Sequence, residues 1–215
     1  MEIENNFFNI VALGSFNPDI LKPEFLIKNC KAIISSNPEY KFIPNMVSEI
    51  KNEKYGFLMD LSRFQITEEN IDDFSNNTIL MIMCNYLKKL KYTPITKLGF
   101  NFNINLVTNE KSKFLERINN NQEIIKFFGV KKVSFQINKE IEKNKEERFI
   151  SIQMSMQLTN NNFLNIHIKD ESDKFKINYN YELEKNDFLK ICNKKSGINN
   201  VKNNYLKTIK YFIGE

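Results

Sequence analysis

The chain has 215 residues and a formal net charge of +5. That length can bury a core without the help of a disulfide or metal, and 41% hydrophobic with 27% charged residues exclude a disordered or fibrous chain. No apolar run approaches the roughly 20 residues that a membrane helix needs, and the mild basic excess permits nucleic-acid contact without demanding it. The opening MEIENNFFNIVAL is acidic, unlike a signal peptide. Cys30, Cys84 and Cys192 are odd in number, far apart and set in apolar helical contexts. They predict buried free thiols in a reducing cytoplasm.

Phe7 to Phe16 is an apolar run of strand length that ends in Asn17-Pro18. Pro23 opens a helix with Phe25, Leu26, Cys30, Ile33 and Ile34 on its apolar face. Three strands are expected at Met46–Lys51, Tyr55–Leu61 and Arg63–Thr67. A helix follows over Asp72–Lys91, with Ile79, Met83, Tyr86, Leu87 and Leu90 at helical spacing. Asp72, Asp73, Ser75 and Asn76 supply its N-terminal oxygens, and Lys88, Lys89 and Lys91 suit the negative end of its dipole. Thr93-Pro94 stops it.

The second half opens on the clearest strand of the chain. Leu98, Phe100, Phe102, Ile104 and Leu106 alternate with Gly99, Asn101, Asn103 and Asn105, a period of two with one wet face. Helical turns are expected at Glu110–Ile118 and Gln122–Phe128, closed by Gly129. Strands are expected at Val130–Ile141, Arg148–Leu158, Phe163–Lys169 and Phe175–Leu183. A helical region runs from Asp187, interrupted at Ser196-Gly197, to an amphipathic end at Asn200–Phe212.

The first half therefore reads β-α-β-β-β-α and the second β-α-β-β-β-β-α, a repeat in pattern and not in residues. The expected class is α+β: an antiparallel sheet with helices on one face, in two tandem TATA-binding-protein-like (helix-grip) halves over 1–92 and 93–215 that form one globular unit.

Chemistry-bearing motifs are few. His167 is the only histidine and lies on the wet side of a predicted strand. A lone histidine cannot make the usual zinc site, and no cysteine or carboxylate cluster has metal spacing. No nucleophile elbow or phosphate-cradling loop is present, so no metal or cofactor is expected. Glu68-Glu69, Asp72-Asp73 and Glu146-Glu147 sit in turns or at a helix start, where carboxylates are solvated or cap helices. Lysines gather toward the C-terminus, at Lys190, Lys194, Lys195, Lys202, Lys207 and Lys210, with Tyr205 and Tyr211 among them. Exposed lysines and aromatics beside a sheet could hold phosphates and stack bases.

Several stretches, in order, resemble an uncharacterised family of small bacterial proteins. These are Leu13-Gly14-Ser15-Phe16-Asn17-Pro18, Arg63-Phe64-Gln65-Ile66, Tyr92-Thr93-Pro94-Ile95, Leu98-Gly99 with Asn101, and Asn178-Tyr179-Asn180-Tyr181. The family tends to a histidine in the last motif, which this chain lacks. The resemblance implies no established activity, but it suggests an accessory gene, as in a bacterial defence or toxin–antitoxin-like module.

Read physically, Gly14, Asn17 and Pro18 make a strand-exit turn in which Gly14 supplies a permissive φ. Arg63 anchors a strand start through carbonyls or an acid, and Gly99 marks a bulge. Three readings compete. The first is a non-catalytic cytoplasmic protein acting through a protein partner, or paired with itself to protect its sheet edges. The second is a nucleic-acid binder that uses a sheet face with Lys202 and Tyr205. The third is an enzyme in which Arg63, Asn101, His167 and Asn178 share a pocket.

Overall fold

The computed structural model of the chain describes residues 2–69, 78–108, 111–130, 133–141, 147–158, 162–171, 174–193 and 197–213. The expected cap residues Asp72, Asp73, Ser75 and Asn76, together with Lys131, Lys132, Glu146, Lys194, Lys195 and Ser196, lie outside these. Ten strands form one antiparallel sheet: β1 (Glu2–Gly14), β2 (Glu39–Ile43), β3 (Val47–Lys51), β4 (Tyr55–Asp60), β5 (Arg63–Glu69), β6 (Ile95–Val107), β7 (Val133–Ile141), β8 (Glu147–Gln157), β9 (Phe163–Asp170) and β10 (Lys174–Leu183). Their order is β2-β3-β4-β5-β1-β6-β10-β9-β8-β7. Six helices accompany them: α1 (Pro23–Phe25), which continues as a π turn over Leu26–Cys30, α2 (Thr78–Lys89), α3 (Lys111–Asn119), α4 (Asn121–Phe128), α5 (Lys185–Asn193) and α6 (Gly197–Ile213). The fold is α+β. The course of strand, helix, four-stranded meander and helix runs twice, and each meander ends beside the strand that opened its half.

The chain clusters into two compact units. An amino unit holds Phe7–Asn101 and Leu183–Lys202; a carboxy unit holds Phe102–Glu182 and Asn203–Glu215, with Met1–Asn6. In the amino unit, Phe8, Ile10 and Ala12 of β1 share a buried face with Phe64 and Ile66 of β5 and with Tyr55, Phe57 and Met59 of β4. Tyr86 of α2 lies 4.5 Å from Phe64 and 6.3 Å from Phe25, which seats α2 on that face. Phe188 of α5 stacks on Phe100 at 5.1 Å. In the carboxy unit, Phe102 stacks on Tyr205 of α6 at 4.3 Å, and Phe114 of α3 stacks on Phe175 of β10 at 4.3 Å. Within each unit, helices thus cover the apolar face that period-two alternation sets apart on the inner strands, while β2 stays exposed.

The first meander has four strands, not three. β2 escapes sequence reading because all five of its residues are exposed, so no alternation marks it. Its hairpin to β3 turns on Pro44 and Asn45. Pro44 fixes φ, Asn45 takes φ 56°, and Met46 N–H donates to Ile43 O at 3.1 Å, as a type II turn requires.

The expectation of three free thiols fails for two of them. Cys84 of α2 and Cys192 of α5 form a disulfide across 108 residues, and only Cys30 is free. Sequence separation hid the pairing: the two cysteines lie 108 residues apart, and nothing local to either marks the other as its neighbour. The inference of a reducing compartment loses that support. Among the described residues, no helix is long and apolar enough to cross a membrane.

Burial pushes the Cys30 thiol up to about 11 and also raises Tyr86, Tyr179 and Tyr205. Their protons stay bound in the folded chain at a pH where the unfolded chain has lost them. This contribution is therefore whole below the unfolded values, about 8.5 for Cys and 10 for Tyr, and falls as pH rises through and above them. Urea midpoints are expected to drop between pH 8 and pH 11, and replacing Cys30 with Ala should remove the earliest part of the decline. A flat midpoint over that range would contradict the burial of these four groups.

Candidate functional site

The second face of the sheet is lined by the alternate residues of each strand. In the carboxy unit most of these are amides and hydroxyls, with His167, Lys169 and Lys176 among them, and the register sets them in rows. Asn178 of β10 lies opposite His167 of β9, His167 opposite Gln153 of β8, and Gln153 opposite Gln136 of β7. The next row runs Asn180, Asn165, Ser155, Ser134, and a third runs Lys176, Lys169, Ser151, Asn138. Asn178 Nδ2 donates to Asn103 Oδ1 of β6 at 2.7 Å, Ser155 Oγ to Asn165 Oδ1 at 2.6 Å, and Asn138 Nδ2 to Ser151 Oγ at 3.0 Å. The like-charged neighbours Lys176 and Lys169 are reconciled by Glu171, which pairs with them at 2.8 Å and 3.5 Å. That pairing also holds the Glu171 carboxyl below its usual range. Asn180 Oδ1 is buried with no partner. An unsatisfied acceptor costs about 1–3 kcal/mol, so this face carries a local cost at Asn180.

In the amino unit the same face is charged and apolar instead. One row runs Asn9, Thr67, Gly56, Lys51, Glu39 and the next Val11, Gln65, Leu58, Glu49, Lys41. Gly56 has no side chain to fill its place, and an open depression of about 430 Å³ sits over it, edged by Glu49, Lys51, Leu58, Gln65 and Glu69. Lys51 pairs with Glu49 at 3.0 Å, and Asn101 Nδ2 donates to Asn9 Oδ1 at 2.9 Å.

The expected site residues take several different places. His167 and Asn178 are brought together as direct cross-strand neighbours, His167 exposed and Asn178 half-buried. Asn101 is taken up by Asn9. Arg63 pairs with Asp60 at 3.3 Å through side chains that are both partly exposed, while its Nε is buried without a partner. Lys202 and Tyr205 were expected at a nucleic-acid-contacting surface and are instead 3% exposed. The Tyr205 ring lies against Phe102 and is within 5.6 Å of Tyr179, so no base can stack on it. Helical spacing already set Tyr205 with Val201, Leu206, Ile209 and Phe212 on the apolar side of this helix; it is the nucleic-acid role that burial removes.

The turn residues behave as their chemistry requires. Asn17 Oδ1 accepts from Asp19 N–H at 3.0 Å, and Pro18 opens a short 3₁₀ turn over Pro18–Ile20. Gly14 departs from expectation: its φ is not positive. It is glycine because a Cβ there would collide with the carbonyl oxygen of Pro94. Gly99 lies buried inside β6.

Sequence reasoning missed the amide rows. Asn101, Asn103 and Asn105 were legible as the wet side of a strand, but joining them to Gln136 and Gln153 required the strand order. A scan against protein-family models finds no match for this chain, and a search of curated proteins finds none.

Proposed function

We propose that this is a non-catalytic binding protein, an accessory module that acts through a protein partner held on the polar face of its carboxy unit. The observation that carries the reading is the set of uncharged hydrogen-bonding side chains in register from β10 to β7, on the face opposite Phe102, Phe114 and Phe175 and the helices over them. Such a surface offers paired donors and acceptors, the chemistry of a wet protein interface. A nucleic acid would instead call for unengaged cations along its backbone. Here Lys169 and Lys176 are engaged by Glu171, and Tyr205 lies in the core. A catalytic reading also lacks support, because Asn101, Asn178 and Arg63 already hold protein partners.

Affinity-tagged chain recovered from its native host tests this. The wild type is expected to bring down a defined protein, and the variant Gln136→Ala/Gln153→Ala/His167→Ala to lose it with an unchanged circular dichroism spectrum. Retention of the partner by that variant would sink the proposal. So would recovery of nucleic acid alone, released by salt.

A further inference from the structure

We propose that the chain pairs with a second copy of itself through β2, antiparallel, about a two-fold axis at Tyr40. β2 ends the sheet, so the outer backbone groups of this strand are left unpaired within it. All five of its residues are exposed, and its pairing to β3 has no irregularity. At the opposite edge, β7 meets β8 across a register shift, with Ile150 of β8 left as the extra residue opposite Asn138 and Lys139, so that ladder is irregular where the β2–β3 ladder is regular. β2 also carries two aromatic rings into water: Tyr40 and Phe42, each 38% exposed and stacked 6.1 Å apart.

The charges on β2 choose both occupant and register. In antiparallel strands related by a two-fold axis, the residue on the axis faces its own copy, and each residue before it faces the one equally far after it. With Tyr40 on the axis, Glu39 faces the second copy's Lys41, and Lys41 faces the second copy's Glu39. The existing Lys41–Glu39 ion pair at 3.0 Å then becomes a ring of four alternating charges. With Lys41 on the axis, two lysines would face each other, which is destabilising. With Phe42 on the axis, Lys41 would face Ile43 and gain no partner. The Tyr40 register also brings the two Tyr40 rings together, flanked by Phe42, and so covers the aromatic surface. Pro38 falls opposite Phe42 and ends the ladder, because it has no N–H to give. A ladder this short makes a weak, concentration-dependent dimer.

Sedimentation of the full chain over a concentration series, joined to cysteine placement, tests this. The wild type should move toward the mass of two chains as concentration rises, and Tyr40→Lys should stay at one. Cys84 and Cys192 are bridged and Cys30 is buried, so an introduced thiol is the accessible one. Under mild oxidation Tyr40→Cys should run as a disulfide-linked dimer on a non-reducing gel. Lys41→Cys and Phe42→Cys should run as monomers, because residues displaced along the strand lie beyond disulfide reach. A wild-type mass of one chain up to the solubility limit would overturn the proposal. So would a dimer that survives Tyr40→Lys, or cross-linking strongest at residue 41 or 42.

Discussion

Reduction of the Cys84–Cys192 bridge is expected to lower the thermal midpoint of this protein by roughly 10–20 °C. The bridge spans 108 residues, so it removes a large share of the freedom of the unfolded chain. In the chain-entropy account, a loop of about 100 residues is worth about 4.7 kcal/mol. For a chain of this length each kcal/mol moves the midpoint by about 2–4 °C. The bridge ties α5 to α2 within the amino unit, where α5 is otherwise held by Phe188 stacked on Phe100 and by Lys185 Nζ donating to Lys91 O at 3.2 Å. Those contacts are modest beside a covalent closure, so the loss should not be made good elsewhere. Calorimetry with and without a phosphine reductant measures it, and Cys84→Ser should reproduce the reduced value without reductant. Cys30→Ser should leave the response to reductant intact. An oxidised chain, verified by mass, whose midpoint ignores the reductant would refute the stabilising role.

Much of the architecture was legible because it rests on local periodicity. Leu98 to Leu106 alternate apolar with polar, and all five apolar residues are buried. Ile79, Met83, Tyr86 and Leu87 keep helical spacing and are buried on α2. Asn120 caps α4 through Glu123 N–H, and Gly129 at φ 62° closes it, as a left-handed position next to a helix end demands. What stayed hidden depends on neighbours distant in sequence. β2 had no burial pattern to announce it. The bridge needed α2 and α5 side by side. Helical spacing set Tyr205 on one apolar stripe with Val201, Ile209 and Phe212, all of them buried, but the lysines around it suggested a nucleic-acid contact for Tyr205 and Lys202, whereas α6 turns Tyr205 onto Phe102 and Tyr179. The candidate face is the clearest case: each strand showed its own polar side, but the rows exist only across strands, and no single strand encodes which strand lies next to it.

Gly14→Ala is expected to cost at least ~3 kcal/mol, the upper end of the usual range for overpacking, although it adds one methyl group. The backbone of Gly14 would accept alanine, since its φ is not in the left-handed region. The obstacle is the Pro94 carbonyl, which the new Cβ would strike. A flexible side chain could turn aside, but this oxygen belongs to the backbone, and the end of β1 is held on both sides of it. Ser15 N–H donates to it at 2.9 Å, while Gly14 N–H and Phe16 N–H are bound to Ser62 O and Leu61 O at 2.9 Å and 3.0 Å. The end of β1 is thus clamped between the start of β5 and the start of β6, and moving Gly14 away breaks one side or the other. Two stretches far apart in sequence, Gly14–Pro18 and Thr93–Ile95, meet at this point. Gly56→Ala makes the natural control. Its Cβ would meet only the Thr67 Cβ, at 3.8 Å, an ordinary contact, and the loss of unfolded-chain freedom should make it neutral or stabilising by about 0.4–1 kcal/mol. Urea unfolding of the two variants beside the wild type separates the cases. If Gly14→Ala fell within about 1 kcal/mol of wild type, below the usual overpacking range, the clamp would be absent. If both variants lost stability equally, the cost would belong to strand glycines in general and not to the approach of Pro94.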